Sequence, residues 1–203
     1  MSDYEKIKNI IKEYLDKKSV NIEIESNIKE TSYDKDNGEY LCDFAEDFKV
    51  IDMDKIAQDA YGIIYNSGKT KSTVDAFFIS NDKQWYFIEF KNTSIDNRKT
   101  KDRLQRKAYE NLHMLFDIMY EVSEISEVFD YKNNPIEFVR NNINYTVVCN
   151  SDKNIREANK VRQYELGAEK YIPGCLQDLN SSVFKNAYLL TEDMFKRKIQ
   201  SMQ

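Results

Sequence analysis

Glycine, proline and histidine are scarce here: five Gly, two Pro and one His among 203 residues. So few Gly and Pro argue against a disordered or low-complexity chain. The single histidine, His113, has no second His or Cys one helical turn away, so it reads as a packed or surface residue and not as half of a metal pair. Cys42, Cys149 and Cys175 are odd in number and far apart, which fits a reducing compartment and no metal cluster. Cys149 stands in an apolar run without a polarising partner, as a small buried hydrophobe does. No apolar run approaches the ~20 residues of a membrane span. The segment MSDYEKIKNIIKEYL is charged and amphipathic, without the apolar centre of a signal peptide. These absences set the expectation of a cytoplasmic protein with no membrane partner.

What the chain does have is aromatic volume and charge. Fourteen Tyr and eleven Phe supply a core although 32% of residues are charged. Tyrosine tips can meet nucleobases as easily as solvent. Neither repeats nor a linker-like stretch divides the chain, and its length suits one domain with a sizeable core. A single domain over 1–203 is expected, with residues 1–48 as an N-terminal helical and strand extension. The net charge of −5 is unevenly spread. Glu30–Asp59 holds ten acidic residues against three Lys, a balance of −7. Lys91–Lys107, KNTSIDNRKTKDRLQRK, holds seven Lys and Arg against two Asp, a balance of +5. The acidic stretch suits a solvated surface, a further metal carboxylate, or a segment that occupies a basic groove when no nucleic acid is present. The basic stretch suits a solvated helix face, or a surface that holds a polyanion by displacing its counterions.

Hydrophobic spacing predicts alternating helices and strands. Ile7, Ile10, Ile11, Tyr14 and Leu15 share one helical face over 3–17. Val20–Ile24 alternates as a short edge strand, and Ser26–Glu39, with Asn37-Gly38, reads as a loop or turn. A helix is expected from Asp52 or Asp54 to about Asn66, with Ile56, Ala60, Ile63 and Ile64 on its apolar side and Gly68 at its end. Val74–Ile79 and Trp85–Lys91 are β-branched and aromatic runs around the turn former Ser80-Asn81-Asp82-Lys83, the pattern of a hairpin. A long helix from about Thr100 to Phe129 carries the stripe Leu104, Ala108, Leu112, Leu115, Ile118, Met119 and Val122. Ile143–Cys149 reads as an interior strand, Asn154–Glu169 as a polar helix, and Ala187–Leu190 as a last strand followed by a helix capped at Thr191. The order is that of an α/β protein.

Charge interrupts the hairpin at three points. Glu89 and Lys91 emerge on one strand face, roughly 7 Å apart, between Trp85, Phe87, Ile88 and Phe90, and the preceding strand carries the isolated Asp75. Charges two apart on a strand are often the solvated face of a half-buried sheet. Two carboxylates and an ammonium among large apolar residues are otherwise costly to desolvate, and a hard divalent cation that prefers carboxylate oxygens offsets that cost. In the basic helix that follows, Gln105 and Tyr109 share a face, so an amide and a phenol can approach the same place.

Asp75, a gap of thirteen residues and Glu89-x-Lys91 together resemble the metal site of PD-(D/E)xK nucleases, with Val74 where the nominal proline stands. Gln105-x-x-x-Tyr109 looks like the helix motif of the RecB-like branch of that superfamily. The resemblance covers about residues 50–110 and implies a restriction-endonuclease-like core, a mixed central β-sheet flanked by helices. It implies Mg²⁺ or Mn²⁺ held by Asp75, Glu89 and the backbone carbonyl of Phe90, with Lys91 orienting the attacking water. Gln105 would position a phosphate or a water on the metal, and Tyr109 would support it. The helix before Asp75 can present a further carboxylate, for which Glu46 and Asp59 are candidates. The implied partner is nucleic acid, DNA before RNA, with Arg98, Lys99, Lys101, Arg103, Arg106 and Lys107 as phosphate contacts that position without reading sequence. The acidic total supports an alternative, a catalytically inactive protein of nuclease fold that binds nucleic acid or a protein partner.

Overall fold

Ser2 caps the first helix, α1 (Asp3–Lys17), its side chain accepting from the Glu5 N–H at 3.2 Å, and the expected apolar face is buried. Then come β1 (Glu25–Asn27), the single turn α2 (Ile28–Thr31) and a small hairpin of β2 (Tyr33–Asp34) and β3 (Glu39–Tyr40). That hairpin turns through Gly38 at φ +68°, which glycine adopts without strain. β4 (Lys49–Asp52) runs into a helical stretch of α3 (Met53–Ile56), a π-helical turn at Ala57–Tyr61, and α4 (Gly62–Ile64). β5 (Ala76–Ile79) and β6 (Trp85–Lys91) form the expected hairpin, and α5 (Arg98–Glu121) follows. The chain then passes through α6 (Pro135–Asn142), β7 (Ile143–Cys149), α7 (Ile155–Leu166), β8 (Asn186–Thr191) and α8 (Glu192–Gln200). These positions come from a computed structural model that describes residues 1–64, 71–95, 98–122 and 134–202.

Six of the strands make one mixed sheet in the order β1-β4-β5-β6-β7-β8. The first four pair antiparallel, whereas β6, β7 and β8 run parallel. A parallel pair needs a crossover, and α5 and α6 lie in the connection from β6 to β7. Every residue of β7 is buried, as in strands covered on both faces. On one face Tyr145 of β7 donates to the Leu104 carbonyl of α5 at 3.0 Å, and Trp85 meets Phe138 of α6 edge-on. On the other, Phe90 of β6 packs against Phe195 of α8. The chain is therefore α/β, a six-stranded mixed sheet flanked by helices. Among the described residues no helix is long and apolar enough to cross a membrane.

Several local expectations change. The edge strand is Glu25–Asn27, just after Val20–Ile24, because pairing with β4 begins only where the Ile24 carbonyl accepts from Asp52 N–H. Ser26–Glu39 contains α2 and the β2 strand as well as a turn, since Asn27 caps a helical turn through the Glu30 N–H. α6 was not visible in the apolar spacing; Asn134 caps it and Pro135 sits in its first turn, where proline is tolerated. α5 starts at Arg98 and is described to Glu121. Val122, a buried residue of the expected stripe, lies just past its end in a bend, and the remainder of the expected span (123–129), the Asn66-Ser67-Gly68 helix end and the Ile63 side chain lie outside the described residues. The N-terminal residues supply β1 to the same sheet and Ile7, Ile11 and Ile24 to the same core.

Candidate active site

β5 ends its pairing one residue short of Asp75, and that irregularity builds the site. Ala76 is in register with Ile88, yet the Asp75 N–H also donates to the Ile88 carbonyl at 3.0 Å. Asp75 and Ala76 thus both address one residue of β6, in the manner of a β-bulge, which re-aims a side chain. The Asp75 carboxylate is turned across the strand end, where its Oδ2 accepts the Phe90 N–H at 2.6 Å. On β6, Glu89 and Lys91 share a face as alternation requires. From those positions their side-chain ends meet, with the Lys91 ammonium against Glu89 Oε1 as a direct ion pair.

The opposite wall is α5. Lys107 projects from it between the two carboxylates, its Nζ 3.1 Å from Asp75 Oδ1 and 2.9 Å from Glu89 Oε2. Glu89 is fully buried, and the Asp75, Lys91 and Lys107 side chains are only 16%, 12% and 12% exposed. Burial raises the Glu89 carboxyl, the Asp75 charge adds to this, and Lys107 and Lys91 oppose it. Burial alone would lower the Lys107 ammonium, but Asp75, Glu89 and Asp54 outweigh it and hold the group charged well above its ordinary range.

Asp54 is the third carboxylate of the cluster. It lies on α3, where Asp52 serves as the N-cap by accepting the Lys55 N–H at 2.8 Å. Thr73, in the segment leading to Asp75, holds it through a 2.8 Å hydrogen bond to Oδ1. Burial pushes Asp54 up to about 7, against the pull of Lys107 and with repulsion from Asp75 and Glu89. Asp54, Asp75, Lys91 and Lys107 line a cleft of about 400 Å³ together with Arg103 and the β2 hairpin residues Tyr33 to Asp36.

Asp75, Glu89 and Lys91 therefore converge. Gln105 and Tyr109 do not join them: the Gln105 amide donates to the Cys175 carbonyl at 3.2 Å, and Tyr109 is 51% exposed. Lys107 follows Gln105 by two residues, about 200° around a helix, so the face that reaches the carboxylates is nearly opposite. Lys107 is largely withdrawn from solvent as the partner of Asp75 and Glu89, unlike the exposed cations of the same helix. Arg98, Lys99, Arg103 and Arg106 are exposed, whereas Lys101 lines a separate small cavity with Arg156 and Lys160. Of the two upstream candidates, Glu46 is a solvent-facing partner of Lys29, whereas Asp59 is exposed and lines a cavity next to the cleft together with Asp52, Asp54 and Asp75. Asp54 is the upstream carboxylate that lines the cleft beside Asp75 and Lys107. Two Asp at 52 and 54 were a usable signal, because only one can cap the helix.

The donor set suits a hard cation. Two carboxylate oxygens already lie within 3.1 Å of one point, the Lys107 nitrogen. Past the end of β5 the Phe90 peptide faces the cleft, since its N–H is taken by Asp75 and the carbonyl of a strand residue points the same way as its N–H. Among the described residues no set of three or more His, Cys, Asp or Glu gathers in metal-binding geometry. Mg²⁺ commonly takes only one or two carboxylates and completes its shell with water and phosphate. No family model, curated protein or solved structure matches the chain.

Proposed function

We propose that this chain is a cytoplasmic, metal-dependent nuclease with a restriction-endonuclease-like core, hydrolysing phosphodiester bonds of nucleic acid, DNA in the first instance. The observation that carries the reading is the convergence of Asp75 and Lys91, which line a cleft with Arg103, on the buried Glu89 behind it, Lys91 directly and Asp75 through the shared Lys107. Asp75, Glu89 and the Phe90 carbonyl would hold Mg²⁺ or Mn²⁺. When bound, the cation supplies Lewis acidity at the scissile phosphate and a water of lowered pKa. Lys91, fixed by Glu89, stands to orient the attacking water and to balance charge on the pentavalent phosphorus. Arg103, with Arg98, Lys99 and Arg106 further along α5, offers cations to the flanking phosphates without reading bases.

Melting with and without Mn²⁺ tests the site. Metal at about a hundred times its dissociation constant stabilises a folded protein by roughly 2.7 kcal/mol, and Glu89→Gln removes that gain. No shift in the wild type at millimolar Mn²⁺ overturns the metal site. One observation favours a second reading: Lys107 and Lys91 together already balance the charge of both carboxylates, which suits an inactive nuclease-like binding protein. Binding of nucleic acid without any metal-dependent stabilisation supports that reading.

A further inference from the structure

Lys107 is out of place for a basic helix. Arg98, Lys99, Arg103 and Arg106 of α5 are solvated, yet Lys107 is withdrawn and bonded to Asp75 Oδ1 and Glu89 Oε2. Those are the carboxylates a divalent ion would use. An ammonium about 3 Å from both oxygens and a divalent cation between them cannot coexist, because like charges at that range in a partly desolvated site repel by several kcal/mol. The lysine stem is long and flexible. Arg103 lies one turn earlier on the same helix face, and the cleft lined by both residues has room for a released ammonium.

We propose that Lys107 is a tethered counter-cation that holds the Asp75–Glu89 pair in the metal-free protein, and that a divalent cation displaces it into the cleft beside Arg103, where it meets the substrate phosphate. The inference rests on the metal-dependent reading above. Lys107 is then a positioning residue with two stations. It keeps two carboxylates from repelling each other before metal arrives, and it adds positive charge to the cleft once metal has bound. The metal affinity of the wild type is a net value, lowered by the work of expelling the ammonium.

Two measurements on the full chain test this. Titration calorimetry with Mn²⁺ is expected to give at least about tenfold tighter binding in Lys107→Met than in the wild type, a difference of about 1.4 kcal/mol. Equal or weaker binding by the folded variant overturns the proposal. Reductive methylation of the wild type, read by mass spectrometry, is expected to leave Lys107 protected in EDTA and to modify it faster in saturating Mn²⁺. Protection that persists in the metal-saturated wild type also overturns it, and this arm decides alone if Lys107→Met fails to fold. If neither protein binds Mn²⁺, the metal-dependent reading falls too. If the wild type binds Mn²⁺ and Lys107 stays buried, only the exchange falls.

Discussion

The carboxylate of Asp75 accepts the peptide N–H of Phe90 at 2.6 Å, fifteen residues further along the chain. This bond closes the open end of the β5–β6 hairpin where strand pairing stops, and it turns the other carboxylate oxygen toward Glu89 and Lys107. One side chain thus completes the backbone hydrogen bonding and forms half of the cation-binding pair.

The two roles separate by substitution. Asp75→Ala leaves the buried Phe90 N–H without an acceptor, at about 1–3 kcal/mol, and removes metal binding. Asp75→Asn retains an amide oxygen for that N–H, so it is expected to keep most of the stability while still losing metal-dependent activity. Urea unfolding of both variants beside a cleavage assay checks this. Equal destabilisation by Asn and Ala contradicts a bridging role for the Asp75–Phe90 bond.

Glu89 is fully buried between two ammonium groups. Glu89→Ala takes the carboxylate from Lys91 and leaves Lys107 with Asp75 alone, and removing one partner of a buried pair costs about 3–5 kcal/mol. A folded but inactive alanine variant is therefore not expected at this position. Glu89→Gln preserves volume and one acceptor and is the better test of chemistry. Lys91→Ala, at the edge of the cluster, is expected to be milder in stability and as severe in activity. A Glu89→Ala protein that unfolds within 1 kcal/mol (about the spread of a surface change) of the wild type contradicts the buried network.

Asp54 governs a pH effect. Its folded-state value is raised from 3.8 to about 7, chiefly by burial. Between those values the folded state keeps a proton that the unfolded state has released, so this group's contribution to stability falls as pH rises through the window and is level above it. Asp54→Asn removes the effect, and the variant is expected to gain on the wild type from pH 4 to pH 7 in EDTA. A difference that stays flat across that range, measured by urea unfolding, contradicts an upward-shifted Asp54.

Gln105 and Tyr109 are expected to be dispensable for chemistry. Gln105→Ala loses one hydrogen bond to the Cys175 carbonyl, worth about 0.5–1.5 kcal/mol, and Tyr109→Ala changes stability by no more than about 0.5 kcal/mol. Cleavage rates within a few-fold of the wild type are the expected outcome. Loss of activity comparable to that of Lys91→Ala would return both residues to the site.

The strands were legible because their composition carries the signal. Ile143–Cys149 is rich in β-branched and apolar residues and is buried on both faces, and Asp75, Glu89 and Lys91 stand out as charges inside such runs. The carboxylate that completes the cluster was hidden by an ambiguity, since Asp52 and Asp54 both suit a helix start and only the Thr73 hydrogen bond separates their roles. Lys107 was hidden differently. It flanks the Leu104, Ala108 and Leu115 stripe that faces the sheet, yet a lysine within a run of seven cations reads as one more solvated charge. Burial of a charged side chain depends on a partner from another element, here β6, and local periodicity carries no record of it. The π-helical turn at Ala57–Tyr61 left no signature in the spacing either.

The most direct measurement is cleavage of labelled single- and double-stranded DNA and RNA in Mg²⁺, Mn²⁺ or EDTA, with Lys91→Ala and Glu89→Gln beside the wild type. Metal-dependent cutting that is lost in both variants, while their circular dichroism stays that of the wild type, is the expected result. Cutting that persists in both variants, or no cutting of any substrate by a wild-type protein that binds Mn²⁺, contradicts catalysis at Asp75, Glu89 and Lys91.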